Sequence, residues 1–242
     1  MPDLTQPHHL PNRRSDGKPP HPSWLPRQRR GVTPQMIGRY PDFDVFDAAA
    51  TWDDATRAVI DSRMRLGNRR LEFFSDDESE TLRALCDVAT AQDAEPRVPV
   101  AEMVDETLAA GRLDGYQYDG MPDDRDTWHA VIRGLDETAR ERYGRRGFAA
   151  LDVEAAESVV AQLAKGELKG GTWDTLNCKR AFSVCMRAIL SAFYSHPWAW
   201  NEIGYGGPAY PRGYMRLGPL AVREPFERRG ATDEDPVRLA DI

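Results

Sequence analysis

The sequence predicts an all-α fold, in which a compact domain of about five or six helices lies between two irregular ends. Apolar residues between positions 48 and 194 recur at three- and four-residue spacings, as on one face of a helix. Helix-starting and helix-ending residues bracket these stripes, and no β-rich alternating segment competes with them. We therefore expect an extended arm at 1–42, the helical domain at 43–195 and an irregular docking segment at 196–242.

Residues 1–42 are predicted to form an extended arm, because their composition cannot build a core. They contain nine of the 18 prolines of the chain. Their net charge is +4 and the remainder carries −11, which gives −7 over all 242 residues. This acidic balance argues against nucleic acid as the main partner.

The first three predicted helices follow from one weak apolar stripe and two start signals. Ser75 and Glu78 form a capping box that opens the second helix, and Pro99 opens the third. The inward residues are predicted to be Trp52, Ala55, Val59 and Leu66 in the first, Leu82, Leu85, Cys86 and Ala89 in the second, and Val100, Met103, Val104, Thr107 and Leu108 in the third.

Three further helices follow after a turn-rich link at 113–122. Asp126 or Thr127 is predicted to cap the fourth and Gly144 to end it. Asp152 caps the fifth, and Thr172 caps the sixth and longest. The inward residues are predicted to be Trp128, Val131, Ile132, Leu135, Ala139 and Tyr143, then Val159, Val160 and Leu163, then Trp173, Leu176, Cys178, Phe182, Cys185, Ile189, Ala192 and Phe193.

The three cysteines are predicted to be small buried side chains. Cys178 and Cys185 lie two helical turns apart, roughly 10 Å, so they cannot bridge each other without breaking the helix. The sequence contains no CxxC and no CxxCH, which excludes a c-type cytochrome and an obvious zinc module for this chain.

Candidate catalytic residues are few. Asp126-x-x-His129 has the spacing of two ligands on one helix face, but a di-iron bundle needs about six ligands and a second histidine. His196 with Glu202 is a candidate acid–base pair, although His196 is also a natural helix end before Pro197. A small helical metalloenzyme therefore stays open as an alternative, as does a non-redox adaptor that binds through the arm.

The run from Ala192 to Pro225 is predicted to be neither helix nor strand, because prolines and glycines interrupt it repeatedly. Its many aromatic residues make it too apolar for a free tail, so it needs a surface to lie on. Tryptophan, tyrosine and arginine carry much of the binding energy at protein interfaces. The predicted partner-binding residues are Trp198, Trp200, Tyr205, Tyr210, Arg212, Tyr214 and Arg216.

The segment AFYSHPWAWNEIGYGGPAYPRGYMRLGP, after a helix that begins near GTWDTL, resembles the gluconate 2-dehydrogenase subunit 3 family. The segment YQYDGMP and the helix around Leu135–Ala139 also look like that family, and the likeness covers roughly residues 50–220. The matching elements of the ending are Phe193, Pro197, Trp200, Asn201, Gly206, Gly207, Pro208 and Tyr210.

The resemblance implies a non-catalytic small subunit that assists maturation and stability of a large one. The large subunit would be a FAD-dependent glucose–methanol–choline-type dehydrogenase of sugars, polyols or glycosides, with a cytochrome c or another electron acceptor as a further partner. No cofactor is expected in this chain. No signal peptide or long apolar run is visible, so we expect no membrane insertion and a cytoplasmic location, unless a partner carries a twin-arginine signal.

Overall fold

The computed structural model describes residues 45–67, 69–92, 97–113, 115–203 and 205–208. Seven α-helices and no strands occur among them, which confirms the predicted all-α class. Short 3₁₀ helices lie at Val45–Thr51, Phe148–Ala150 and Gly171–Asp174. The α-helices are α1 (Asp54–Arg65), α2 (Asp76–Thr90), α3 (Val100–Ala109), α4 (Asp124–Tyr143), α5 (Val153–Lys165), α6 (Cys178–Tyr194) and α7 (Pro197–Ile203).

The chain divides into two compact units, and the predicted arm at 1–42 lies outside the described residues. The first unit, called here the α2–α6 unit, contains residues 66–93 and 99–193. The second, called the α1–α7 unit, includes the described residues 45–65, 97–98 and 194–208 without 204. None of the helices in the described ranges has the length and apolar character needed to cross a bilayer.

Most helix boundaries in the α2–α6 unit follow the local signals in the sequence. The capping box is present, since Ser75 Oγ accepts the Glu78 N–H and Glu78 accepts the Ser75 N–H. Asp152 caps α5, and Gly144 ends α4 with φ +61°. These signals act within four residues of chain, so the sequence alone reveals them.

The predicted start of the fourth helix was wrong by three residues. Asp123, rather than Asp126 or Thr127, caps α4, because its carboxylate accepts the Asp126 N–H at 2.9 Å. Several acidic residues follow one another here, and each is an acceptable cap by composition alone. The added turn makes α4 the longest helix of the described residues, with 20 residues against 17 in α6.

The predicted start of the sixth helix at Thr172 was also wrong. Residues 171–174 form a 3₁₀ helix, and α6 begins only at Cys178. Asn177 supplies the start signal, since its Oδ1 atom accepts the Arg180 N–H at 3.1 Å. Trp173 turns away to α4, where its Nε1–H donates to Gly134 O at 3.1 Å and to Thr138 Oγ1 at 2.8 Å.

Gly134 in α4 makes room for the Trp173 ring. A Cβ atom at this position would lie 2.6 Å from the ring carbon Cζ2, which no side chain tolerates. The absence of a side chain therefore allows the indole to lie against the α4 backbone, and this close approach buries Trp173 to 5% exposure. A glycine inside a helix usually lowers its stability, and here the packing of the indole offsets that loss.

The predicted inner face of the first helix was wrong. Val59 is 50% exposed, whereas Ile60 is buried in α1. Ile60 packs in a cluster with Val45, Trp52 and Trp200. The predicted stripe assumed that Trp52 already belongs to the helix, but Trp52 precedes α1 and reaches the same core from the preceding turn.

Buried carboxylates hold the loops of the α2–α6 unit to its helices. Asp105 on α3 is fully buried and accepts the backbone N–H groups of Glu72, Phe73 and Phe74 at 2.8, 2.9 and 3.1 Å. Each of these bonds has an ionised acceptor, so each is stronger than a bond between neutral groups. The loop before α2 is therefore fixed by a side chain more than 30 residues away.

Two acids on α4 act in the same way on later loops. Asp136 accepts the Thr81 hydroxyl at 2.7 Å and the Phe148 N–H at 2.9 Å. Glu137 accepts the Thr172 N–H at 2.8 Å. Helix α4 thus anchors α2, as well as the 3₁₀ helices Phe148–Ala150 and Gly171–Asp174.

We expect Asp105→Ala to lower the free energy of unfolding by roughly 3 kcal/mol, because three backbone N–H groups lose an ionised acceptor inside the unit. Asp105→Asn keeps one acceptor oxygen and should lose less. Urea unfolding followed by circular dichroism measures both. Asp119→Ala, an exposed aspartate, serves as the matched control; equal stability of Asp105→Ala and this control would contradict the anchoring role.

Candidate functional site

The start of the predicted docking segment is helical, which corrects the expectation of irregular chain from Ala192 onward. Helix α6 continues to Tyr194, and α7 occupies Pro197–Ile203. Pro197 stands at the first helical position, where the missing N–H has no intrahelical acceptor and the fixed φ suits a helix. Proline therefore starts a helix here, whereas the sequence prediction treated it only as a breaker.

His196 caps the first turn of α7. Its ring is 1% exposed, and Nδ1 accepts the Trp198 N–H at 3.2 Å. The His196 carbonyl accepts the Trp200 N–H at 3.2 Å, which closes the first helical turn. Nδ1 is therefore the acceptor nitrogen of the ring. The Glu202 side chain lies outside the described residues, so the candidate acid–base pair is not placed.

Trp200 belongs to the core of the α1–α7 unit. It is 5% exposed and packs with Val45, Trp52 and Ile60. Its Nε1–H donates to Tyr194 O at 2.7 Å. A buried indole whose polar atom is satisfied in this way holds α7 to its own chain.

Arg63 supports the same arrangement from α1. Its Nη1 donates to Ser195 O at 2.8 Å, and its guanidinium lies over the Trp200 ring, with Cζ 6.0 Å from the ring centroid. Burial lowers the pKa of Arg63 from its ordinary value. The side chain stays charged at neutral pH, because the pKa of arginine starts so high.

Gly207 brings the end of the described chain back to the 3₁₀ helix Val45–Thr51. Its φ is +79°, and a Cβ atom here would lie 2.7 Å from Val45 Cγ2. Both the backbone conformation and the contact therefore require glycine. The Tyr205 N–H donates to Trp200 O at 2.9 Å. This hydrogen bond closes the end of α7.

The predicted partner-binding residues fall into three groups. Trp200 is in the core, whereas Tyr205 is 37% exposed and Trp198 is half-buried. Tyr194, which the sequence prediction did not include, is 41% exposed on the last turn of α6. The remaining predicted residues lie outside the described ranges: Tyr210, Arg212, Tyr214 and Arg216.

A family model of gluconate 2-dehydrogenase subunit 3 matches residues 76–207, which is 132 of the 242 residues. The chain belongs to this family. No curated protein and no solved structure matches the chain. The match begins at the first residue of α2 and ends at Gly207, so it includes α7 and the predicted partner-binding residues Trp198, Trp200 and Tyr205.

In this member of the gluconate 2-dehydrogenase subunit 3 family, His129 contacts Glu78 of α2 and is not grouped with other possible metal ligands. Its Nδ1 atom lies 2.7 Å from Glu78 Oε1, and its ring stacks on Phe73 with centroids 4.6 Å apart. Within the described ranges, no group of three or more His, Cys, Asp or Glu side chains has the arrangement of a metal site.

Glu78 links the start of α2 to α4, because its carboxylate contacts both the Ser75 cap and His129. The sequence did not reveal the link to α4. Burial raises the pKa of its carboxyl group, but hydrogen bonds from the Ser75 amide and hydroxyl and from His129 outweigh this effect, so the pKa lies below its ordinary value of 4.5. The capping bonds are local and were predicted. The bond to His129 spans 51 residues, and no sequence pattern announces it.

The three cysteines are free and buried, as predicted. Burial raises the pKa of Cys86, Cys178 and Cys185 above the ordinary value. The thiolate is the reactive form of cysteine, so the raised pKa disfavours reaction of these buried thiols.

We expect Glu78→Gln to lower stability at neutral pH and to have little effect in acid. A carboxyl group whose pKa is lowered on folding stabilises the protein above its unfolded pKa, near 4.5, and this contribution disappears as the pH falls through the folded value. Urea unfolding of both proteins between pH 3 and 7 should show a difference that shrinks toward about pH 3. The exposed Glu167→Gln is the control; a difference independent of pH would contradict the assignment.

Proposed function

We propose that this chain is the non-catalytic small subunit of a heteromeric dehydrogenase, and that it binds, stabilises and helps to mature a FAD-containing large subunit of the glucose–methanol–choline type. Membership of the gluconate 2-dehydrogenase subunit 3 family carries the proposal. The large subunit would hold the FAD and oxidise a sugar, polyol or glycoside hydroxyl. A cytochrome c or another acceptor would take the electrons, and this chain would bind no cofactor of its own.

The α1–α7 unit supports this role because it holds α7 in place before any partner binds. Trp200 and Gly207 fix the two ends of the segment 200–207 on the core of the unit. The half-buried Trp198 and the exposed Tyr205 then lie on a backbone that is already held to this core. Ordering an interface before binding reduces the entropy lost on association.

The remainder of the docking segment would lengthen the contact. Tyr210 and Tyr214 supply further aromatic area, and Arg212 and Arg216 would pair with carboxylates of the large subunit. If this chain binds the folded large subunit and not the unfolded one, it stabilises the folded large subunit by mass action. At a free concentration one hundred times the dissociation constant, this stabilisation is about 2.7 kcal/mol.

We expect the chain, when expressed together with a flavoprotein of the proposed type, to co-purify with that flavoprotein and to raise its soluble yield and FAD content. The two proteins should be expressed together and separately, then compared by size-exclusion chromatography and by FAD absorbance per polypeptide. Separate elution with unchanged FAD content would contradict the proposed function.

Within the complex, we expect Trp198→Ala, Tyr205→Ala and Tyr210→Ala each to weaken binding by about 2 kcal/mol, or roughly thirtyfold, as interface anchors do. Trp198→Ala and Tyr205→Ala should lower the stability of the free chain less than Trp200→Ala does. Trp200→Ala should instead lower the stability of the free chain by roughly 3 kcal/mol, because it empties a packed site and removes the hydrogen bond to Tyr194 O.

Biolayer interferometry and thermal unfolding of the same variants separate the two effects. Tyr143→Ala is the matched control for loss of a surface ring, because Tyr143 is 36% exposed on α4, contrary to the prediction that it faces inward. If all three of these variants of the docking segment bind as tightly as this control, the docking segment is not the interface.

A further inference from the structure

No further inference is drawn: the strongest candidate, the surface patch where Tyr116 and Tyr118 of the link between α3 and α4 lie against Arg187 and Arg180 of α6, carries nothing further because nothing in the structure shows what covers it.

Discussion

The interaction on which the α2–α6 unit most depends is the capture of three consecutive backbone N–H groups by the buried Asp105 carboxylate. It fixes residues 72–74, and this places Ser75 and Glu78 to start α2. The same loop sets Phe74 against Trp128 of α4, with ring centroids 6.1 Å apart. One buried charge therefore joins α3, the loop, α2 and α4. Burying a charge is costly, and these N–H donors compensate for the lost water.

Several acids among the described residues hold loops and helix starts in place. Asp136 and Glu137 hold the loops after α4 and α5 in the same way that Asp105 holds the loop before α2. Glu78 occupies His129, the histidine with the most ligand-like sequence spacing.

Sequence reasoning succeeded where the determining contacts are local. The Ser75 capping box, the Asp152 cap and the Gly144 stop each act over a few residues and were predicted. It failed where the partner is distant or the context changes the meaning of a residue. Asp105 acts on residues more than 30 positions away. Pro197 reads as a helix breaker until its place at the first helical position is known.

The candidate site shows the same limit. The aromatic content of the docking segment predicted that it must pack on a surface, but not which ring faces inward. Trp198 and Trp200 have the same side chain and lie two residues apart on a helix, so they point about 200° apart. Only Trp200 reaches the core around Val45 and Ile60. The choice depends on residues about 150 positions earlier in the chain, which no local pattern reveals.

The most direct test of the claim that this chain is a docking subunit is amide hydrogen exchange of the full chain, free and mixed with a flavoprotein of the proposed type. Slower exchange on binding should appear in peptides that cover 196–208. Peptides covering 72–74 should be slow in both states, because Asp105 already holds them. Protection confined to α5, or no protection at 196–208, would contradict the claim.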